Sequence, residues 1–186
     1  MKPHMTESEL SMFDTYTDGI KHYYEFGVGG STVHIYNNTN ATIEGVDSSK
    51  AWINKVINLC SDTTKIKLRH VNIGATGAWG FPTGEELKDN WPNYSDSINS
   101  VAKAPDVVLV DGRFRVACIT STILFALNHN VEPTIILHDA KRSYYDPGKN
   151  LLQLIDSNRY LHVYKLDCRD INEITHVHDH HMYTAN

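Results

Sequence analysis

The sequence has no long hydrophobic run. None approaches the ~20 residues needed to span a bilayer, so no membrane association is expected. Cysteine is scarce: Cys60, Cys118 and Cys168 are the only three in 186 residues. They are too few and too scattered for a disulfide framework, and no two have metal-ligand spacing. Reduced thiols in an intracellular, soluble, cytoplasmic protein are the expectation. Basic residues are in the minority, 17 Lys and Arg against 22 Asp and Glu, for a formal charge of -5. A nucleic-acid surface normally carries a basic excess, so no nucleic-acid partner is expected. The opening stretch, MKPHMTESELSMFD, is polar and acidic and matches neither a signal nor a transit peptide. There is no internal repeat and no low-complexity segment. What remains is an ordinary globular composition, 41% hydrophobic and 21% charged, long enough to bury a core as one domain over 1–186.

The order of elements can be read along the chain. Thr6 followed by Glu9 is a capping-box pattern and predicts a short helix over 6–16. Residues 22–26 read as a strand broken by glycines, with a helix starting near Ser31. A second strand over 42–47 precedes a helix behind a serine cap, and 66–73 forms a third strand. Residues 74–96 hold four glycines, two prolines and two tryptophans, which predicts an ordered covering loop. A short helix over 93–102 follows it. The apolar runs 106–111 and 133–139 flank a helix over about 115–128. A helix near 148–155, a strand or hairpin over 160–166 and a mobile tail over 172–186 complete the series, with 20–168 as the core. Continuous apolar strands alternating with helices predict a mainly parallel sheet covered on both faces.

In such sheets ligands bind beyond the carboxyl ends of the strands, where strand order reverses. Those ends carry Gly27–Ser31, Asp47, the long loop, Asp111-Gly112-Arg113 and His138-Asp139. A dinucleotide site wants a third glycine, and Thr32 stands there instead. Glu25, two residues before Gly27, suits a cationic ligand better than a pyrophosphate. Asp47, twenty residues after Gly27, is placed to grip the two hydroxyls of a ribose. No Gly-Lys-Ser/Thr follows the glycines, which excludes a phosphate-binding P-loop.

The segments EFGVGGST (25–32) and GVDSSKAW (45–52) resemble the first two motifs of class I S-adenosylmethionine-dependent methyltransferases. DVVLVDG (106–112) and IILHD (135–139) resemble that family's fourth and fifth strand motifs, most closely those of small-molecule and sugar O-methyltransferases. The resemblance implies an α/β, Rossmann-like three-layer sandwich of about seven strands, the last antiparallel. It implies S-adenosylmethionine as cofactor, held by Glu25, Gly27, Gly29, Ser31, Asp47, Ser48, Trp52 and Asp111. It implies O-methylation of a sugar, glycan or other small polar acceptor, and for many members a divalent cation, Mg²⁺ or Mn²⁺, here at Asp111 and Asp139. The family commonly has a histidine or aromatic residue two positions after the Asp-Gly pair; this chain has Arg113-Phe114-Arg115.

Methyl transfer to a hydroxyl is an in-line displacement that needs its proton removed. Asp111 and His138 are the candidate bases. Arg113, Arg115 and Arg142 are candidates for orienting an acidic or polyhydroxy acceptor. Trp79, Trp91 and Tyr94 are candidate lid residues. Two other readings stay open: an NAD- or nucleotide-binding Rossmann enzyme, and a non-catalytic methyltransferase-like binding module. His176, His178 and His180 would share one face of a strand, giving at most an adventitious metal site.

Overall fold

Continuous apolar strands need cover on both faces, and the helices supply it. The computed structural model describes all 186 residues, Met1–Asn186. Helix α1 (Glu7–Thr17) starts at the expected capping box, with Thr6 Oγ1 accepting from the Glu9 N–H and Glu9 accepting from the Thr6 N–H. Then follow β1 (His22–Phe26), α2 (Gly30–Asn38), β2 (Thr42–Asp47), α3 (Lys50–Ile57) and β3 (Ile66–His70). Beyond the long loop come α4 (Pro92–Ser95), β4 (Val107–Val110), α5 (Arg115–His129) and β5 (Thr134–Leu137). The chain ends with α6 (Asp146–Lys149), β6 (Leu152–Asn158), β7 (Leu161–Leu166) and α7 (Ile171–His181).

The seven strands form one sheet in the order β3-β2-β1-β4-β5-β7-β6. β3, β2, β1, β4 and β5 pair in parallel, and β7 runs antiparallel to both β5 and β6. Strand alternation sends Tyr24, Phe26, Val108 and Val110 to one face and Tyr23, Val107 and Leu109 to the other. The first face packs on α5, and the second on α1 and α2 through Phe13 and Ile35. No helix is long and apolar enough to cross a membrane, and the three cysteines are free.

Three expectations need correction. Where a tail was expected over 172–186, the chain forms α7, which is capped by Asp170 and joins the core through Ile174, with Val177 and Met182 packed against it. The cause is tertiary. Helix α5 is buried on nearly every side from Arg115 to Ile123, and its outer face requires a covering helix. His176, His178 and His180 therefore do not share a face. His176 and His180 pair with tilted rings 4.2 Å apart between centroids, whereas His178 turns inward to Thr120 Oγ1 at 2.9 Å. Finally, the helix expected near 148–155 is only the single turn α6, and β6 takes over from Leu152 as an exposed edge strand.

Candidate active site

Strand order reverses between β1 and β4, and the two loops that leave these strands meet there. Gly27 has φ +92°, and a Cβ on it would lie 2.5 Å from Gly112 Cα. Both conditions require glycine. The glycine loop is thus shaped first by its contact with the β4 loop. Gly29 is different: a Cβ there would meet only Trp52 Nε1, at 3.6 Å. Of these two glycines, Gly29 is the one left with room for a ligand above it.

Glu25 does not reach that space. It is fully buried under the first turn of α2, where Tyr23 Oη donates to its carboxylate at 2.7 Å. Thr32 Oγ1 also donates to Glu25, and accepts from the Gly29 N–H at 2.8 Å. The threonine at the third-glycine position therefore wires the acid to the loop, and Glu25 acts on a ligand only through that loop. Ser31 is buried beside them. Burial pushes the Glu25 carboxyl up to about 7, against the opposing hydrogen bonds of Thr32 and Tyr23. A raised carboxyl pKa favours folding below the unfolded value of 4.5 and loses that contribution as pH rises to about 7. Glu25→Gln is therefore expected to match wild type near pH 4 and to exceed it at pH 8 by about 3 kcal/mol, from ~1.4 kcal/mol per pKa unit. Urea denaturation at the two pH values measures this; parallel pH dependence in both proteins would refute it.

Asp47, at the end of β2, accepts from the Ser49 N–H at 2.7 Å. Burial lifts its pKa to about 6, although the N–H groups of Ser49, Val28 and Ser48 and the charge of Arg113 oppose the shift. Ser49 is the serine cap of α3, its side chain accepting from the Trp52 N–H. Trp52, 38% exposed, donates from Nε1 to Val28 O at 2.6 Å and pins the glycine loop from above.

At the ends of β4 and β5, His138 Nδ1 and Asp111 Oδ1 are 3.1 Å apart. Burial alone would lower the His138 pKa, but the Asp111 hydrogen bond and charge, with Asp139, hold it above the ordinary 6.5. Burial opposes ionisation of Asp111 too, yet His138 and Arg115 hold its pKa below the usual value. Asp111 is thus a weak base, and His138 the better proton acceptor of the two.

The three arginines expected at the acceptor separate. Arg115 is buried and faces no acceptor, which corrects that expectation. Its Nε donates to Gly112 O at 2.9 Å and its Nη2 to Asp111 O at 2.9 Å. Nη1 donates to His138 O, and Nη2 also reaches Asp111 Oδ1 at 3.2 Å and Asp139 Oδ2 at 3.4 Å. Arg142 is half-exposed and pairs with Asp139 at 2.9 Å. Arg113 is buried with no partner. The lid residues separate likewise. Trp91 and Tyr94 belong to the core beside Phe114, so Tyr94 is not presented to an acceptor. Trp79 is 80% exposed, tilted against His4 with 6.1 Å between ring centroids.

Asp111, His138 and Asp139 each bring a ligand atom within 4.8 Å of the others, a spacing that invites a divalent cation. The charge does not fit. Both carboxylates already pair with the buried Arg115 guanidinium, and Asp139 also with Arg142. A hard cation at ~2.0–2.6 Å from the same oxygens would be forced against two guanidinium groups. The site does not suit a resident Mg²⁺ or Mn²⁺ while Arg115 stays in place.

A surface cavity of about 710 Å³ opens instead near the opposite ends of β1 and β2, beside Asp18, Lys21, His22, His34 and Thr42. It is polar and gathers none of the strand-end groups described above. Chemistry, rather than volume, locates the site.

No protein-family model and no curated protein sequence matches this chain. Solved structures do. A methyltransferase-like protein from Silicibacter pomeroyi DSS-3 superposes with a TM-score of 0.83 at 21% identity, over 100% of this chain and 98% of that one. Aeropyrum pernix fibrillarin, solved with natively bound S-adenosyl-L-methionine, gives 0.50 at 12% identity, over 80% and 66% of the two chains. The fold is the α/β, Rossmann-like methyltransferase fold, with the seven strands and antiparallel β7 that the sequence resemblance implies.

Proposed function

We propose that this protein is an S-adenosylmethionine-dependent methyltransferase acting on a hydroxyl of a sugar, a glycan or a similar small polar acceptor. One observation carries the reading: the glycine loop, Asp47 and the Asp111–His138 pair all stand at the carboxyl ends of β1, β2, β4 and β5, around the point where strand order reverses. In this reading Asp47 accepts from the ribose hydroxyls, and Gly29 leaves room for the amino-acid end of the cofactor. His138 Nε2, which makes no hydrogen bond within the protein, takes the acceptor proton. Asp111 fixes the ring through Nδ1 and stabilises the imidazolium that forms. The sulfonium supplies the methyl group. Arg142 and the exposed Tyr144 of the loop after β5 line the approach for an acceptor. Arg115 takes over the neutralising role that a divalent ion plays in metal-dependent relatives, so turnover is expected to persist in EDTA.

Calorimetric titration of S-adenosylhomocysteine into wild type and Asp47→Ala tests the cofactor. Two hydrogen bonds to a charged acceptor predict a loss of about 1.5–3 kcal/mol or more, a 10- to 150-fold weaker complex. Wild-type affinity should also fall as pH drops below about 6, where Asp47 takes up a proton. Binding of NAD in preference to S-adenosylhomocysteine would transfer the site to nucleotide chemistry.

A further inference from the structure

Arg113 departs from the rule that buried charges are paired. The other buried charges have partners: Glu9 accepts from the N–H groups of Thr6 and Tyr160, Glu25 from Tyr23 and Thr32, and Arg115 joins five oxygens across β4 and β5. Arg113 is only 6% exposed. Its Nε and Nη1 are fully buried and make no hydrogen bond. No carboxylate lies within ion-pair distance of it. Asp47 and Asp111 are near enough to act on its charge, but both are engaged, Asp47 by the Ser49 N–H and Asp111 by His138 and Arg115.

The surroundings explain how the charge is held without being satisfied. Phe81, from the loop after β3, presents its ring to the guanidinium with 4.2 Å between Cζ and the ring centroid. A ring face attracts a cation but accepts no N–H. The same loop reaches the β2 end, where a Cβ on Gly80 would lie 3.4 Å from Ser48 Oγ. Arg113 therefore sits within the cleft, roofed by Phe81, with both guanidinium edges free. Each edge presents two parallel N–H groups, the arrangement that matches a carboxylate.

We infer that Arg113 is the receptor for a carboxylate on a ligand of this cleft. A carboxylate on either edge would accept from one of the two orphaned nitrogens, Nε or Nη1, together with Nη2, and would bring the missing counter-charge. Two sources carry it, the amino-acid end of the cofactor and an acidic acceptor such as a uronic acid. Only the choice between them rests on the methyltransferase reading.

Paired ligands that differ by the carboxylate test this. S-adenosylhomocysteine and 5′-methylthioadenosine are titrated into wild type and Arg113→Met, and glucuronate and glucose into both proteins, alone and saturated with S-adenosylhomocysteine. A cofactor carboxylate predicts at least 30-fold weaker S-adenosylhomocysteine binding in R113M, with methylthioadenosine within twofold. An acceptor carboxylate predicts unchanged nucleoside binding and loss of glucuronate binding, with glucose unaffected. Equal losses for both members of a pair would overturn the inference, since they mark a contact to the shared ring. So would an absence of change in every titration. If wild type binds no S-adenosylhomocysteine, the methyltransferase reading falls, and glucuronate added to the protein alone decides Arg113: binding lost in R113M upholds the site, and equal binding or none refutes it. R113M should melt no lower than wild type, because it removes an unpaired buried cation. Arg113→Gln replaces it if R113M is insoluble.

Discussion

Arg115→Met should destabilise the fold by about 3–5 kcal/mol, the range for removing one partner of a buried charge network. The side chain is 3% exposed at the first turn of α5. It ties the β4 end to the β5 end, beside the Asp111–His138 hydrogen bond, through the carbonyls of Gly112, Asp111 and His138 and the carboxylates of Asp111 and Asp139. Tyr145 packs a ring face 5.2 Å from it. Methionine would fill the volume but remove a donor from each of the three carbonyls and leave Asp111 with only His138 and Asp139 with only Arg142. The same variant decides the metal question. Without the buried guanidinium, the oxygens of Asp111 and Asp139 and the His138 nitrogen, all within 4.8 Å, face only the half-exposed Arg142, which can swing into solvent and leave the donor set to a cation. Millimolar Mg²⁺ or Mn²⁺ is therefore expected to raise the urea midpoint of R115M and to leave wild type unchanged. A loss below about 1 kcal/mol would show that the guanidinium is dispensable. Equal metal stabilisation of both proteins would mean that Arg115 and a cation coexist, against the electrostatic argument made above.

That two arginines two residues apart have opposite fates is the kind of fact a sequence hides. Phe114 between them is left-handed, φ +56°, and fully buried. Its conformation sends Arg113 under Phe81 and Arg115 into the strand ends. The letters Arg-Phe-Arg carry no mark of this. The sheet, by contrast, is plain in the letters, because VVLV (107–110) and IIL (135–137) are apolar without interruption, and strands buried on both faces read that way. Gly27, Asp47, Asp111 and His138 follow from the same logic, as the residues where those runs stop. Elements on the rim were harder. β6 is an exposed edge strand with only Leu152 well buried, so no run of apolar residues announces it. α7 offers only Ile174 and Val177 to the core, and its helical state answers the need of α5 for cover. Glu25 was legible as an acid beside a ligand loop. Its inward direction was not, because that depends on which face of β1 lies under α2.

Asp111→Asn should reduce turnover on the order of 10²-fold or more, the low end of what a positioned general base contributes, while S-adenosylhomocysteine affinity stays within threefold. Asparagine keeps the shape and a hydrogen bond to His138 but removes the charge. Two effects follow. The imidazolium formed as the acceptor loses its proton is no longer stabilised, and the ring can settle in the wrong tautomer. The pH profile separates these from simple damage. Asp111 holds the His138 pKa above 6.5, so wild-type activity should rise with pH through a value above 6.5, as the ring becomes neutral. In D111N that limb should move to lower pH, yet the plateau should remain depressed. Stability has its own signature. The lowered Asp111 pKa gives a contribution present above 3.8 and lost on acidification. The raised His138 pKa gives one present below 6.5 and lost as pH rises through the folded value. The pair therefore stabilises most between about pH 4 and 6.5, and the D111N deficit should peak there. Turnover can be followed as S-adenosylhomocysteine release with an acceptor found by screening hydroxylated sugars. A rate within threefold of wild type, with an unmoved pH limb, would remove this pair from the chemistry and return the protein to the class of binding modules.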